Sequence, residues 1–270
     1  YIFRHTNPDF LNRDLENLTP KDIMFRKAIY HSGFKFGLLL LSTITFIGVF
    51  VPFFVDMSPY DQDISSRLLP PVWSEGGSWQ YIFGTDGNGR DYLARIIYGT
   101  RVSLTIGIGA ATVGMLIGVT LGVIAGYFGG IVDQVVSYIL TCQLALPGIL
   151  FLLTIISIVG SSLTVVILVI GVLHWTLFLV VTRAATQRIR NLDYITAADA
   201  IGARKTNIIF TDILPNVLNQ IIVIFTLEVG VAILAEATIS FLGLGIQPPT
   251  PSWGAVSYTH LTLPTTYGVW

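Results

Sequence analysis

Charge is scarce in this sequence. Asp, Glu, Lys and Arg make up 11% of its 270 residues, less than half of the roughly 25% usual for soluble globular chains. The net charge of −1 leaves no positive field to hold phosphates, which excludes a nucleic-acid footprint. Cys142 is the single cysteine, so a disulfide framework and a four-cysteine metal site are both excluded. Four scattered histidines make no zinc cluster. No G-x-x-x-x-G-K-[ST] segment occurs, so the chain has no P-loop, and whatever energy it uses must come from a partner or a gradient. What it has instead is apolar bulk: 53% hydrophobic residues and a mean hydropathy of +0.71. These values describe an all-α membrane protein.

The uncharged runs divide the chain. Phe36 to Val55 is twenty residues without a charge, enough to cross a hydrocarbon core of roughly 30 Å as a helix. A second run predicts a span over 102–125. Between Asp133 and Arg183 lie 49 uncharged residues, which as one helix would reach about 74 Å, more than twice the bilayer. Gly160-Ser161-Ser162 is the natural break, predicting spans over 134–159 and 163–182. A fifth span is predicted over 217–238, interrupted by Glu228 and Glu236. Residues 1–35 read as a polar arm with a short amphipathic helix near Thr19–Tyr30, started by Thr19-Pro20. Residues 56–101 and 183–215 are then the two long loops.

Basic residues orient the spans. The arm holds six, the 56–101 loop four against six acids, the short turn before Asp133 none, and the 183–215 loop five. The N-terminus and the 183–215 loop are therefore expected in the cytoplasm. The second loop needs a reason to be so long. Asn191 or Asp193 can cap a short helix, and the alanines at 197, 198 and 200 leave it a thin, smooth surface suited to another protein's groove. Gly202 permits a turn that a side chain would obstruct, and Leu214-Pro215 is expected to stop the following segment before the fifth span.

Three blocks carry a family resemblance. Thr196-Ala197-Ala198, Gly202 and Leu214-Pro215 resemble the cytoplasmic EAA loop of ABC-importer permeases, with Thr196 where the family has an acid. The stretch Gly84-Thr85-Asp86-Gly87-Asn88-Gly89-Arg90-Asp91 is similar to the outer-loop signature of the dipeptide/oligopeptide/nickel permease group. Ala235-Glu236-Ala237 and the segment from Ser240 to Gly254 are similar to that group's C-type subunit. The resemblance covers roughly residues 35 to 254 and implies the type I ABC importer transmembrane domain. Five spans are expected here against six in the family. Residues 255–270, polar and too short to cross, are expected to be a non-native tail replacing the last one.

The resemblance implies an inner-membrane permease subunit of a prokaryotic ABC importer for short peptides, without catalysis or cofactor of its own. Its implied partners are a homologous second permease, two ATPase subunits and a periplasmic or lipid-anchored substrate-binding protein. Thr196, Ala197, Ala198, Gly202, Leu214 and Pro215 would couple to the ATPases. A gradient-driven secondary transporter, or an ABC permease for nickel or another small solute, is the alternative.

The remaining candidates come from the residues themselves. Asp86, Arg90 and Asp91 are expected to pair locally within the turn built by Gly84, Thr85 and Gly89. Gly114, Gly118, Gly122 and Gly126 recur every fourth residue, which puts them on one helix face and lets another backbone approach. Glu228 and Glu236 project within about 80° of each other. A central charge costs roughly 2.5–3.5 kcal/mol on insertion scales, so both are candidates for a translocation path, with Glu236 also able to pin the next loop. His174 beside Trp175 reads as a hydrogen-bonded packing residue, and no metal site is expected.

Overall fold

The computed structural model describes residues 29–55 and 57–261. Most of the N-terminal arm, with its expected helix near Thr19–Tyr30, and the tail beyond residue 261 lie outside the described residues. The helices in order are α1 (Ser32–Phe54), α2 (Tyr92–Phe128), α3 (Gly130–Leu144), α4 (Gly148–Val159), α5 (Leu163–Leu173), α6 (Trp175–Arg190), α7 (Asp193–Ala200), α8 (Leu214–Phe241) and α9 (Trp253–Leu261). No strand occurs among the described residues. The chain divides after Val51 into two units. The first holds most of α1, an apolar helix of bilayer-spanning length. The second holds everything from α2 onward.

Among the described residues, four helical stretches are long and apolar enough to cross a bilayer, and the bent pair α3–α4 makes a fifth if taken as one span. Three of the expected boundaries move. α2 begins at Tyr92 and not near residue 102, because Asp91 caps it: its carboxylate accepts from the backbone N–H groups of Leu93 (2.9 Å) and Ala94 (3.3 Å). Its 37 residues extend about 55 Å, so the helix rises well beyond the hydrocarbon. The expected straight span over 134–159 is broken at Ala145-Leu146-Pro147, where α3 and α4 meet at 81°. Proline disfavours helical geometry in the residue before it and donates no N–H, so an uncharged run need not be a continuous helix. The stretch over 163–182 continues as helix to Arg190, with His174 at the junction of α5 and α6.

The fifth span also departs from expectation. Leu214-Pro215 does not stop the segment before it, since residues Lys205–Phe241 run as one helical stretch. Just before the proline, from Ile208 to Ile213, the helix widens, and the Leu214 N–H reaches back five residues to the Ile209 carbonyl. A proline ring clashes with the carbonyl four residues earlier, and a wider turn moves that carbonyl aside. Asn216 Nδ2 then donates to the Asp212 carbonyl at 2.6 Å. The expected tail begins within the described residues. Its first residues are helical in α9, and Val256 is buried.

The core of the second unit lies between α2, α4, α5, α6 and α8. Ile106, Leu152, Ile156, Val166, Ile170 and Ile239 form one apolar cluster. Phe178, Ile189, Ile195, Ile208, Ile213 and Val217 form another, beneath α7.

Candidate functional site

The four-residue glycine repeat of α2 lies directly against α5–α6. A Cβ added at Gly114 would stand 3.1 Å from the His174 carbonyl oxygen. At Gly118 it would come within 2.3 Å of the Trp175 carbonyl oxygen, at Gly122 within 2.9 Å of that of Leu179, and at Gly126 within 2.8 Å of that of Arg183. At Gly118, Gly122 and Gly126 such approaches leave no room for a side chain, and they hold α6 backbone-to-backbone along α2. A second tie sits at the end of this ridge. Arg183 on α6 makes a two-pronged ion pair with Asp133 in the first turn of α3, its Nη2 reaching Oδ2 at 2.6 Å.

Helix α6 leads directly into the EAA-like segment. The capping expected of Asn191 or Asp193 does not occur: Leu192 is the cap residue, without a side-chain bond, and Asp193 lies in the first turn. Ile195 is buried, and Ala198 packs against the cluster beneath. Thr196 and Ala197 face outward, and Ile201 is 85% exposed. The helix ends when Gly202 N–H bonds the Asp199 carbonyl and Ala203 N–H bonds that of Ala198, the paired closure that calls for a left-handed residue. Gly202 supplies it at φ +79°. Nothing lies within 4 Å of its missing Cβ, so conformation and not crowding is the reason for glycine here. Leu214 and Pro215 belong to the following helical stretch, with Leu214 half-buried and Pro215 exposed.

On the other long loop, Asp86 is the organising residue, at 1% exposure. Its Oδ1 accepts from the N–H groups of Asn88 and Arg90, and its Oδ2 meets Arg90 Nε at 2.8 Å and Nη2 at 2.7 Å. Buried Arg95 stands at 3.8 Å. Thr85 donates its hydroxyl to the Ser66 carbonyl. Gly84 and Gly89 let the chain press against residues 63–71: a Cβ on Gly89 would fall 1.9 Å from the Asp63 carbonyl oxygen. Asp91, expected to join the ion pairing, is instead the cap of α2. Burial pushes its carboxyl above the ordinary aspartate value, against two backbone hydrogen bonds that favour the charge.

Both glutamates of α8 point into protein. Glu228 Oε2 lies 2.7 Å from His174 Nδ1, across the α5–α6 junction. Glu236, fully buried, accepts from Ser240 Oγ at 2.6 Å and Ser252 Oγ at 2.8 Å through Oε1. Its Oε2 has no partner among the described residues. Trp253, next to Ser252, donates from its backbone to Ser103 Oγ and from Nε1 to the Ile96 carbonyl, so the 243–254 loop is fixed to both α2 and α8. The Asp133–Arg183 pair and Gln143 were not singled out from the sequence. Gln143 Nε2 donates to the Leu173 carbonyl left open at the helix junction, and its Oε1 accepts from Trp175 Nε1. A lone amide in an apolar run was the available signal. Among the described residues no group of His, Cys, Asp and Glu could hold a metal ion.

The fold is that of a multi-span helical membrane protein. The family of binding-protein-dependent transport system inner membrane components matches residues 118–264. The di/tripeptide transport system permease protein DppC of Pseudomonas aeruginosa is 35% identical over 238 residues, covering 88% of this chain and 78% of that one. The dipeptide transport system permease protein DppC of Haemophilus influenzae is 38% identical over 224 residues, covering 83% and 76%. Its Escherichia coli K12 counterpart is 37% identical over 239 residues, covering 88% and 80%. Among solved structures, an inward-facing MetNI methionine ABC transporter matches with a TM-score of 0.52 at 19% identity, over 63% of this chain and 81% of that one. The chain belongs to the binding-protein-dependent transport system inner membrane component family, as an inner-membrane permease subunit of an ABC importer.

Proposed function

We propose that this subunit carries short peptides inward, and that helix α7 receives the driving movement from an ATPase subunit on the cytoplasmic side. The substrate class is that of its relatives, whose names specify dipeptides and di/tripeptides. The carrying observation for the coupling is the build of α7. It exposes Thr196, Ala197 and Ile201 while Ile195 anchors it below, and it continues from a helix locked backbone-to-backbone onto α2. A push on α7 therefore moves α6 as a rigid element and does not dissipate in a loose loop.

A homologous permease completes the pathway, two ATPases hydrolyse ATP, and a binding protein delivers cargo at the opposite face. The outer-loop turn around Asp86 and the 243–254 loop, both held rigidly, suit that docking role. The N-terminus lies in the cytoplasm on the basic-residue asymmetry. Glu228 acts on the route through His174, whereas Glu236, fully buried, pins the 243–254 loop to α8.

Co-purification tests the coupling. A β-branched residue at the left-handed position costs roughly 1–3 kcal/mol, so Gly202→Val is expected to lower recovery of the ATPases about tenfold. Membrane insertion should be unchanged. Full recovery of the ATPases with this variant would refute the assignment.

A further inference from the structure

We propose that His174 is a cargo-contacting residue which, held by Glu228, receives the carboxylate of a passing peptide. The inference deepens the peptide-import reading and rests on it. A cavity of about 620 Å³ opens between the α3–α4 bend, the α5–α6 junction and α8. Its wall is mostly apolar, with Gln143, His174, Thr176 and Thr238 as polar points, the composition expected of a small-molecule site. The volume accommodates a di- or tripeptide.

The chemistry of the wall centres on one imidazole. Glu228 lies behind His174, 8% exposed, while the histidine side chain is 21% exposed and lines the cavity. One hydrogen bond bridges the 2.7 Å between Nδ1 and Glu228 Oε2. Nε2 makes no bond among the described residues. In the proposed contact, Nδ1 stays engaged by Glu228 and the ring offers an Nε2–H to the cavity. A carboxylate is the complementary ligand.

The surroundings hold the ring in place and leave it no competing charge. Gln143 ties off the Leu173 carbonyl and the Trp175 indole on either side of His174 in sequence. The α2 backbone presses on the His174 carbonyl at Gly114. Of the charged or titratable groups on the packed elements, only Glu228 bonds the ring, and Cys142 is the remaining titratable group in the wall. This placement makes His174 a donor whose direction does not depend on the cargo side chain. It suits an importer of short peptides, each of which carries a terminal carboxylate.

The test uses the complete importer in nanodiscs. This chain is labelled with ¹⁵N-histidine and assembled with unlabelled partner subunits. His5, His31 and His260 are replaced by Gln, so that His174 gives the one imidazole signal. Dialanine should shift the Nε2 resonance, dialanine amide should not, and Glu228→Gln should abolish the response. In proteoliposomes with saturating loaded binding protein, loss of one charged hydrogen bond in His174→Gln should lower dialanine uptake about tenfold. No shift with dialanine, an equal shift with the amide, or unchanged uptake overturns the proposal. Absence of dialanine uptake by the unmutated importer would instead sink the peptide-import reading itself.

Discussion

Gly118 of α2 lies so close to Trp175 of α6 that a methyl group placed on the glycine would be 2.3 Å from the tryptophan carbonyl oxygen. Backbone cannot yield at that point as a side chain could. Gly118→Ala is therefore expected to separate the two helices and destabilise the subunit by about 1–3 kcal/mol, the usual range for overpacking. Gly230→Ala, on α8 with nothing within 4 Å of the added carbon, should be neutral or slightly stabilising. Thermal unfolding of the purified subunit followed by size-exclusion recovery separates the two outcomes.

The outer turn depends on a single buried carboxylate. Asp86→Ala leaves Arg90 and Arg95, 3% and 1% exposed, without their counter-charge. Breaking a buried pair from one side costs about 3–5 kcal/mol, so residues 63–90 should become protease-sensitive. Asp63→Ala, at an exposed carboxylate bonded only to neighbouring serines, should leave the protease pattern unchanged. Limited proteolysis in right-side-out vesicles reads both.

Asp91 predicts a pH dependence. Its folded value lies above the ordinary 3.8, so the folded state holds the proton more firmly than the unfolded one. The cost of its buried charge is absent below 3.8 and grows as pH rises through the folded value. Asp91→Asn keeps the cap without the charge and should equal or exceed the native stability at neutral pH. That advantage should shrink as pH is lowered toward 3.8. Asp91→Ala loses the cap and should cost about 1 kcal/mol. Thermal midpoints across a pH series give the comparison.

Asp133 and Arg183 join α3 to α6 with both side chains less than one-third exposed. The single alanine variants should not add. A double-mutant cycle on thermal stability should return a coupling of about 1 kcal/mol, and a value of zero would make the pair ornamental.

Much of this architecture is legible in the sequence because bilayer spans announce themselves by missing charges, as Phe36–Val55 does. Charge is not the deciding variable everywhere along the chain. Pro147 breaks a run that contains no Asp, Glu, Lys or Arg, and counting charges passes over it. Pro215 misleads in the opposite sense, since a widened turn and the Asn216 side chain absorb a residue that ordinarily stops a helix. The glycine ridge is readable from spacing alone, but its partner is not. The contacts of Glu236 with Ser252, sixteen residues away, and of Glu228 with His174 depend on tertiary placement that no local pattern encodes. Asp91 reads as an ion-pair candidate because caps and pairs use the same side chain.

The coupling role of α7 meets its most direct test in a photo-crosslinking amino acid substituted at Ile201 of the assembled importer. The account predicts an adduct with an ATPase subunit, weakened by Gly202→Val. An importer that still takes up peptide while residue 201 yields no ATPase adduct would contradict it.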